Sequence, residues 1–154
     1  MKIVIAKESH IPEIISLWEE FARFHEPLDP RYPMKDDARV GYEIHLREEI
    51  DANNTRVLVV LDDDRVVGYV MAKIKKIGEA WKREKYGYIE EMAVTADSRR
   101  HGIGSRLLEE ILDWFKSEDI EMIEVSVAAK NIIGNSFWNK HGFKVHLHRL
   151  YLKL

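Results

Sequence analysis

The sequence predicts one α/β domain of the α+β type, a mixed β-sheet with helices packed on it. Three observations lead there. RVLVVL and RVVGYVMAKI are β-branched runs separated by a short aspartate link, which reads as an antiparallel hairpin. Between Tyr86 and Ala129 a strand, an amphipathic helix and another strand follow one another, so the two strands pair in parallel through a right-handed crossover. Finally, 154 residues with 45% apolar and 33% charged side chains suit a single domain, 1–154, able to bury a core.

The elements follow in order. KIVIA (2–6) is a short apolar strand, and Ser9 is placed to cap the next helix, with Pro12 in its first turn. Ile11, Ile14, Ile15, Trp18, Phe21 and Ala22 then recur at helical spacing and give one buried face. HEPLDPRYP breaks that helix, because its prolines forbid regular structure. Asp36 and Asp37 open a second helix to about Ala52, with a less clean apolar face. After the hairpin, YGYIEEMAV (86–94) is a strand. From Ile103 the apolar positions 103, 107, 108, 111, 112 and 115 line one helix face. IEMIEVSVAA (120–129) is the parallel strand, NSFWNKHG a short helix stopped by Gly142, and FKVHLHRLYLKL (143–154) one or two closing strands.

Composition narrows the function. A net charge of −3 speaks against nucleic acid as a partner, and the most basic stretch, KIKKIGEAWKREK (73–85), reads as solvated surface. No apolar run approaches the roughly 20 residues that cross a bilayer, so no membrane role is expected. MKIVIAKESH lacks the features of a signal peptide, which makes the cytoplasm the expected location. The absence of cysteine excludes cysteine-zinc sites and thiol nucleophiles. His146 and His148 share a strand face as a metal pair would, but spacing supplies no third ligand, and no metal is expected.

The stretch SRRHGIGSRLLEEILDWF (98–115) carries the chemistry. The first N–H groups of a helix lack internal partners, and the helix dipole adds partial positive charge there. Gly102 and Gly104 let a phosphate approach those donors, and Arg99 and Arg100 add fixed charge, so the segment can cradle a diphosphate. On the glycines alone, a turn with solvated arginines is the ordinary reading. A P-loop is disfavoured because no Gly-Lys-Ser/Thr follows, and a dinucleotide fingerprint because its third glycine falls on Leu107.

RRHGIG (99–104) fits Arg/Gln-x-x-Gly-x-Gly/Ala and so resembles the acetyl-CoA motif of the GNAT superfamily of N-acetyltransferases. IEEMAVTADSRRHGIGSRLL resembles that superfamily's fourth strand, loop and third helix, NIIGNSFWNKHGF (131–143) resembles its C-terminal pattern, and the element order agrees along nearly the whole chain. The resemblance implies a twisted mixed sheet flanked by helices, whose central parallel strands splay to admit the pantetheine arm of acetyl-CoA. It implies that Met92, Ala93 and Val94 offer backbone groups to that arm. The amides of Arg100, His101, Gly102, Ile103, Gly104 and Ser105 would hold the diphosphate beside Arg99, with Asn131, Phe137 and Trp138 on the far side. For Phe137 and Trp138 core packing is an equally good reading, and the two are compatible.

Acetyl transfer to an amine needs the amine neutral, whereas a free alkylamine has a pKa of about 10, so the site must take a proton. YIEEM offers two successive carboxylates. Strand alternation puts Tyr88, Glu90, Met92 and Val94 on one face and Ile89, Glu91 and Ala93 on the other. Polyamine and related acetyltransferases of the superfamily have a Leu/Ile-Glu-Asp/Glu stretch here whose first acid is the proposed base. That resemblance points to Glu90 as base or water-positioner, with Glu91 structural or substrate-facing; the plain alternative is that both acids pair with surface cations. Many members have a tyrosine acid at the position of Trp138, and indole has no usable acidic proton. Water, another tyrosine (Tyr151 in reserve) or unassisted departure of a thiolate, whose conjugate pKa is about 8.5, covers that step.

The implied activity is acetyl transfer from acetyl-CoA, as co-substrate, to a primary amine by direct attack in a ternary complex. The amine is a small molecule, an amino-acid derivative or a protein amine. Glu26, Asp29, Asp36 and Asp37 fall in the region that shapes the acceptor pocket in this superfamily, and they read equally well as loop and capping acids. The rival reading is a non-catalytic acyl-CoA-binding regulatory module. Oligomeric state stays open between a monomer and a homodimer joined through LHRLYLKL at a sheet edge.

Overall fold

Two faces of one sheet take two sets of helices, and the alternation along the hairpin decides which side chain joins which core. The computed structural model describes every residue except Pro30 and Tyr32. Its strands are β1 (Lys2–Ile5), β2 (Thr55–Asp62), β3 (Arg65–Lys76), β4 (Lys85–Val94) and β5 (Ile123–Val125). Its helices are α1 (Ile11–His25), α2 (Ala38–Asp51), α3 (Ile103–Ser117) and α4 (Ile132–Lys140). The sheet order is β1-β2-β3-β4-β5, antiparallel except for the parallel β4–β5 pair, so the predicted mixed sheet is what forms. The β2–β3 hairpin turns at Asp63 and Asp64, both with positive φ, as a tight two-residue connection between right-twisted strands requires.

On β2, Val57, Val59 and Leu61 face α1 and α2, where they meet Ile11, Ile14, Tyr42 and Leu46. Leu58 and Val60 face the other way, toward Ile103, Leu107, Leu108, Ile111 and Phe115 of α3. Burying one such aliphatic side chain contributes about 1.5–3 kcal/mol, and the α3 stripe reproduces the spacing read from the sequence.

One irregularity shapes everything near the site. Met71 pairs with Glu91, but the next residue of β3, Ala72, pairs with Ile89, so Glu90 is an extra residue in β4, a β-bulge. Alternation is reset there. Ile89, Met92 and Val94 all pack toward α3, while Ala93 joins the α1/α2 core and Glu91 faces Met71's side. The expected division that put Glu90 and Glu91 on opposite faces is therefore wrong, because a single inserted residue shifts the period-2 pattern. The β4–β5 ladder runs only Gly87–Ile123, Tyr88–Glu124 and Ile89–Val125, and it stops one residue before the bulge. Beyond Ile89 the two strands have no pairing.

Several boundaries differ from expectation. A 3-10 turn, Glu8–His10, precedes α1, so Ser9 lies inside that turn and does not cap the helix. The strand expected over 120–129 is three residues long, since its second half diverges from β4. Residues 143–154 form no strand. Their apolar positions change phase, from Phe143, Val145 and Leu147 to Leu150, Leu152 and Leu154, so no single strand face is apolar, and Leu150 is 90% exposed.

Gly87 shows how tightly β4 is set against α3. A Cβ there would lie 2.7 Å from the ring of Phe115, which is itself fully buried. Gly87→Ala is expected to destabilise the fold by about 1–3 kcal/mol, read as a lower urea midpoint with an unchanged slope.

Candidate active site

The loop from the end of β4 to α3 is built to leave donors bare. Arg100 and Gly102 both take positive φ, at 65° and 75°, and Gly102 is the N-cap of α3. The first turn's earliest backbone bond is Arg106 N–H to Gly102 O, at 3.1 Å. Among the described residues no backbone carbonyl accepts from the amides of 100–105. A Cβ on Gly102 would meet nothing within 4 Å, so the space over these amides is open. Gly104 serves the packing instead. A Cβ there would lie 3.3 Å from the ring of Phe137, and its absence lets α4 close on α3.

The other residues expected at the site are placed as follows. Arg99 is tied back, donating from Nε to Val94 O at 3.1 Å and pairing with Glu20 at 3.2 Å, so it braces the loop against α1. The His101 ring lies 3.4 Å from Ser98 O, Ile103 is buried beneath the loop, and Ser105 Oγ lies 3.0 Å from His141 Nε2. Met92, Ala93 and Val94 pair with Val70, Tyr69 and Gly68 on one side and have no strand on the other. Asn131 caps α4 by accepting from Gly134 N–H at 2.9 Å, and its Nδ2 reaches His25 Nε2 of α1 at 3.2 Å. Phe137 and Trp138 pack edge to face, and Trp138 also meets Phe143, so both serve the α3-side core. Tyr151 lies by Arg31, its ring centroid 5.5 Å from the guanidinium, on the exposed terminal segment.

The two acids differ sharply. Glu91 Oε2 accepts from Tyr69 at 2.6 Å and from Tyr42 at 2.8 Å, with Trp18 stacked on Tyr42. Burial raises the Glu91 carboxyl above the usual range, against the two hydroxyls that favour its ionised form. The same burial and the Glu91 charge push both tyrosines up. Glu90 points into the same layer but toward its edge. Its Oε2 lies 2.6 Å from Lys73 Nζ and its Oε1 3.3 Å from His45 Nε2. Lys73 also pairs with Glu49 at 2.6 Å, and Glu49 accepts from Thr55 Oγ1 at 2.7 Å. Burial alone would raise Glu49, but the bonds from Lys73 and Thr55 hold it below the usual range. Burial likewise opposes the charge on Lys73, and its two carboxylates more than reverse that.

Sequence reasoning missed Lys73, Glu49 and His45. The signal was present: a lysine following the apolar run of β3 needs a buried counter-ion, and His45 and Glu49 are one helical turn apart. At the C-terminal end of α1, Ala22, His25, Glu26, Asp29 and Met34 line a cavity of about 210 Å³. Asp29 is held below the usual range by its hydrogen bonds from Arg31. Asp37 is the N-cap residue of α2 without a side-chain cap bond. No group of three or more His, Cys, Asp or Glu among the described residues is arranged to hold a metal ion.

A crossover helix with a bare N-terminus, set after a strand that parts from its parallel neighbour, is an α/β arrangement whose open amides suit an anionic group. The family profile described as Acetyltransferase (GNAT) family matches residues 14–143, and the chain belongs to that family. No curated protein matches in sequence. Among solved structures, a tetramutant of the BH1408 protein from Bacillus halodurans is similar, at 19% identity and TM-score 0.90 over 100% of both chains. So is the aminoglycoside antibiotic 6'-N-acetyltransferase AAC(6')-IG from Acinetobacter haemolyticus, at 16% identity and TM-score 0.80, covering 100% of this chain and 98% of that one. The aminoglycoside N-acetyltransferase AAC(6')-Iy in complex with CoA is 16% identical with TM-score 0.74, covering 99% of this chain and 93% of that one. At these identities the likeness is one of fold.

The raised Glu91 gives a signed expectation. A folded-state value above the unfolded one contributes stability at low pH that is lost as pH climbs through the folded value. Relative to Glu91→Gln, the natural chain should therefore lose stability as pH rises from about 4 toward neutrality. Urea unfolding of both proteins across that range is the check, and a difference that stays constant with pH contradicts it.

Proposed function

We propose that the protein transfers an acetyl group from acetyl-CoA to a primary amine, by direct attack in a ternary complex. The observation that carries this reading is the row of acceptor-free amides at 100–105, opening beside the unpaired half of β4. A diphosphate suits that loop, because its donors are bare, Gly102 leaves room and Arg100 is exposed beside them. The family supports acetyl transfer in general, and a similar fold has been seen with CoA.

In this reading acetyl-CoA supplies a thioester, and the chain supplies the rest. The free backbone of Met92, Ala93 and Val94 aligns the pantetheine arm as an added strand would. A strand amide near Met92 stabilises the charge that develops on the carbonyl oxygen. Glu90 accepts the acceptor's proton, directly or through a water, since it is the acid at the edge of the layer, and Glu91 is already committed to two tyrosines. Trp138 donates no proton, so the thiolate leaves unassisted or with water. With no cysteine, no acetyl-cysteine intermediate forms. The cavity at the end of α1, with Glu26 at its wall, suits a cationic acceptor. A cytoplasmic location is part of this proposal, with the chain acting as a monomer or a homodimer.

The test is mass-spectrometric detection of acetylation, with acetyl-CoA and three probes: sisomicin, spermidine and a lysine-containing peptide. Transfer to any of them supports the proposal. CoA binding without transfer to all three favours the binding-module reading. Gly102→Ala, which puts a side chain over the amides at a strained φ, should raise the KM for acetyl-CoA about tenfold, for the loss of about 1.4 kcal/mol of contact. Glu90→Gln should abolish the base-dependent limb of the pH–rate profile, and an unchanged profile removes Glu90 from the role.

A further inference from the structure

We propose that His45 is the proton outlet of the site, receiving from Glu90 the proton that the acceptor amine gives up and releasing it to solvent. This rests on Glu90 as proton acceptor and makes His45 a positioning residue, since it acts through Glu90.

The two oxygens of Glu90 have different surroundings. Oε2 is shut from solvent against Lys73, whereas Oε1 lies 3.3 Å from His45 Nε2. A proton arriving on Glu90 cannot leave through Lys73, which already carries its own and is held charged by two carboxylates. Glu49 is equally poor, because its bonds from Lys73 and Thr55 hold it ionised. The side chains of Lys73 and Glu49 are each 15% exposed, against 36% for His45. Glu90 itself is 26% exposed, and His45 is the most open of the groups paired with it. Imidazole is also the side chain that can accept on one nitrogen and release from the other near neutral pH.

Charge balance points the same way. Glu49 and Glu90 against Lys73 leave one negative charge in excess, which favours passage of a proton onto His45. Nδ1 of His45 lies 3.7 Å from Glu49, so the imidazolium formed in transit lies between two carboxylates. The groups facing it are Glu49 and Tyr42 from its own helix, Glu90 and Glu91 from β4 and Lys73 from β3; Tyr42, 6.2 Å away between ring centroids, is pushed up by burial and stays neutral. In the step itself an N–H bond of the acceptor ammonium breaks and its electron pair stays on nitrogen. The proton passes to Glu90 Oε1, then to His45 Nε2, and the imidazolium gives its Nδ1 proton to water. No bond forms between the protein and the acyl group.

Two measurements on the full chain test this. Side-chain nitrogen NMR follows the titration of His45 without needing turnover. Glu90→Gln removes the nearest negative charge, so the His45 curve should move to lower pH. A curve that does not move overturns the coupling. The second measurement is kcat/KM against pH for acetyl-CoA and whichever of sisomicin, spermidine or the lysine peptide is acetylated. His45→Gln should lower kcat on the order of 10²-fold, with KM for acetyl-CoA within about twofold and an unfolding transition at the natural position. Added imidazole should restore part of the rate to His45→Ala. A wild-type pH profile in His45→Gln overturns the outlet. Failure of the natural chain to acetylate any probe overturns it together with the function it rests on, and the NMR result then shows whether the His45–Glu90 coupling exists by itself.

Discussion

One residue more than β3 can pair sets the geometry of the whole site. The bulge at Glu90 bends β4 and strengthens its twist just where the ladder to β5 ends. A regular β4 would carry Glu90 and Glu91 on opposite faces and would have no reason to leave β5 after Ile89. With the bulge, both carboxylates enter the α1/α2 layer at different depths. One becomes a buried acceptor for Tyr42 and Tyr69, and the other an edge group in contact with Lys73 and His45. Neighbouring residues of identical chemistry thus acquire different work through backbone geometry alone.

Most of the scaffold was legible in the sequence because it rests on local patterns. The β2–β3 hairpin is written in β-branched runs around Asp63 and Asp64, and the inner face of α3 in the spacing of Ile103, Leu107, Leu108, Ile111 and Phe115. The glycine loop was legible too, although its two glycines divide their duties: Gly102 for conformation and open space, Gly104 for the approach of Phe137. The bulge was not legible, since strict alternation is the only register rule a single strand offers, and an inserted residue appears only against its partner strand. His45 and Lys73 passed unnoticed although a lysine after the apolar run of β3 and the His45/Glu49 spacing were in view. Their meaning comes from Glu90, and α2 buries only Tyr42 and Leu46, too weak a stripe to show which way His45 turns.

Electrostatic restraint runs through the site. Arg99, which reads in the sequence as free positive charge, is engaged by Glu20 and Val94 O, leaving backbone amides and Arg100 as the open cationic features of the loop. Lys73 is balanced by Glu49 and Glu90, and Asp29 by Arg31. Fixed charges that are already paired change little when a ligand arrives. Dipoles and bare amides, by contrast, need no reorganisation to receive one.

The parallel seam between β4 and β5, three residues long, has a consequence for how the molecule breathes. Every other pairing in the sheet is antiparallel, whereas this one closes across a whole helix and has the shortest ladder. Cooperative units with few mutual hydrogen bonds open at the lowest free energy, so amide exchange in the native state should be fastest along this seam and slowest in β2 and β3. In the proposed complex a long, thin ligand would need no separate lid. It would enter by the line along which the sheet is weakest, and by spanning that line it would stiffen the protein that holds it.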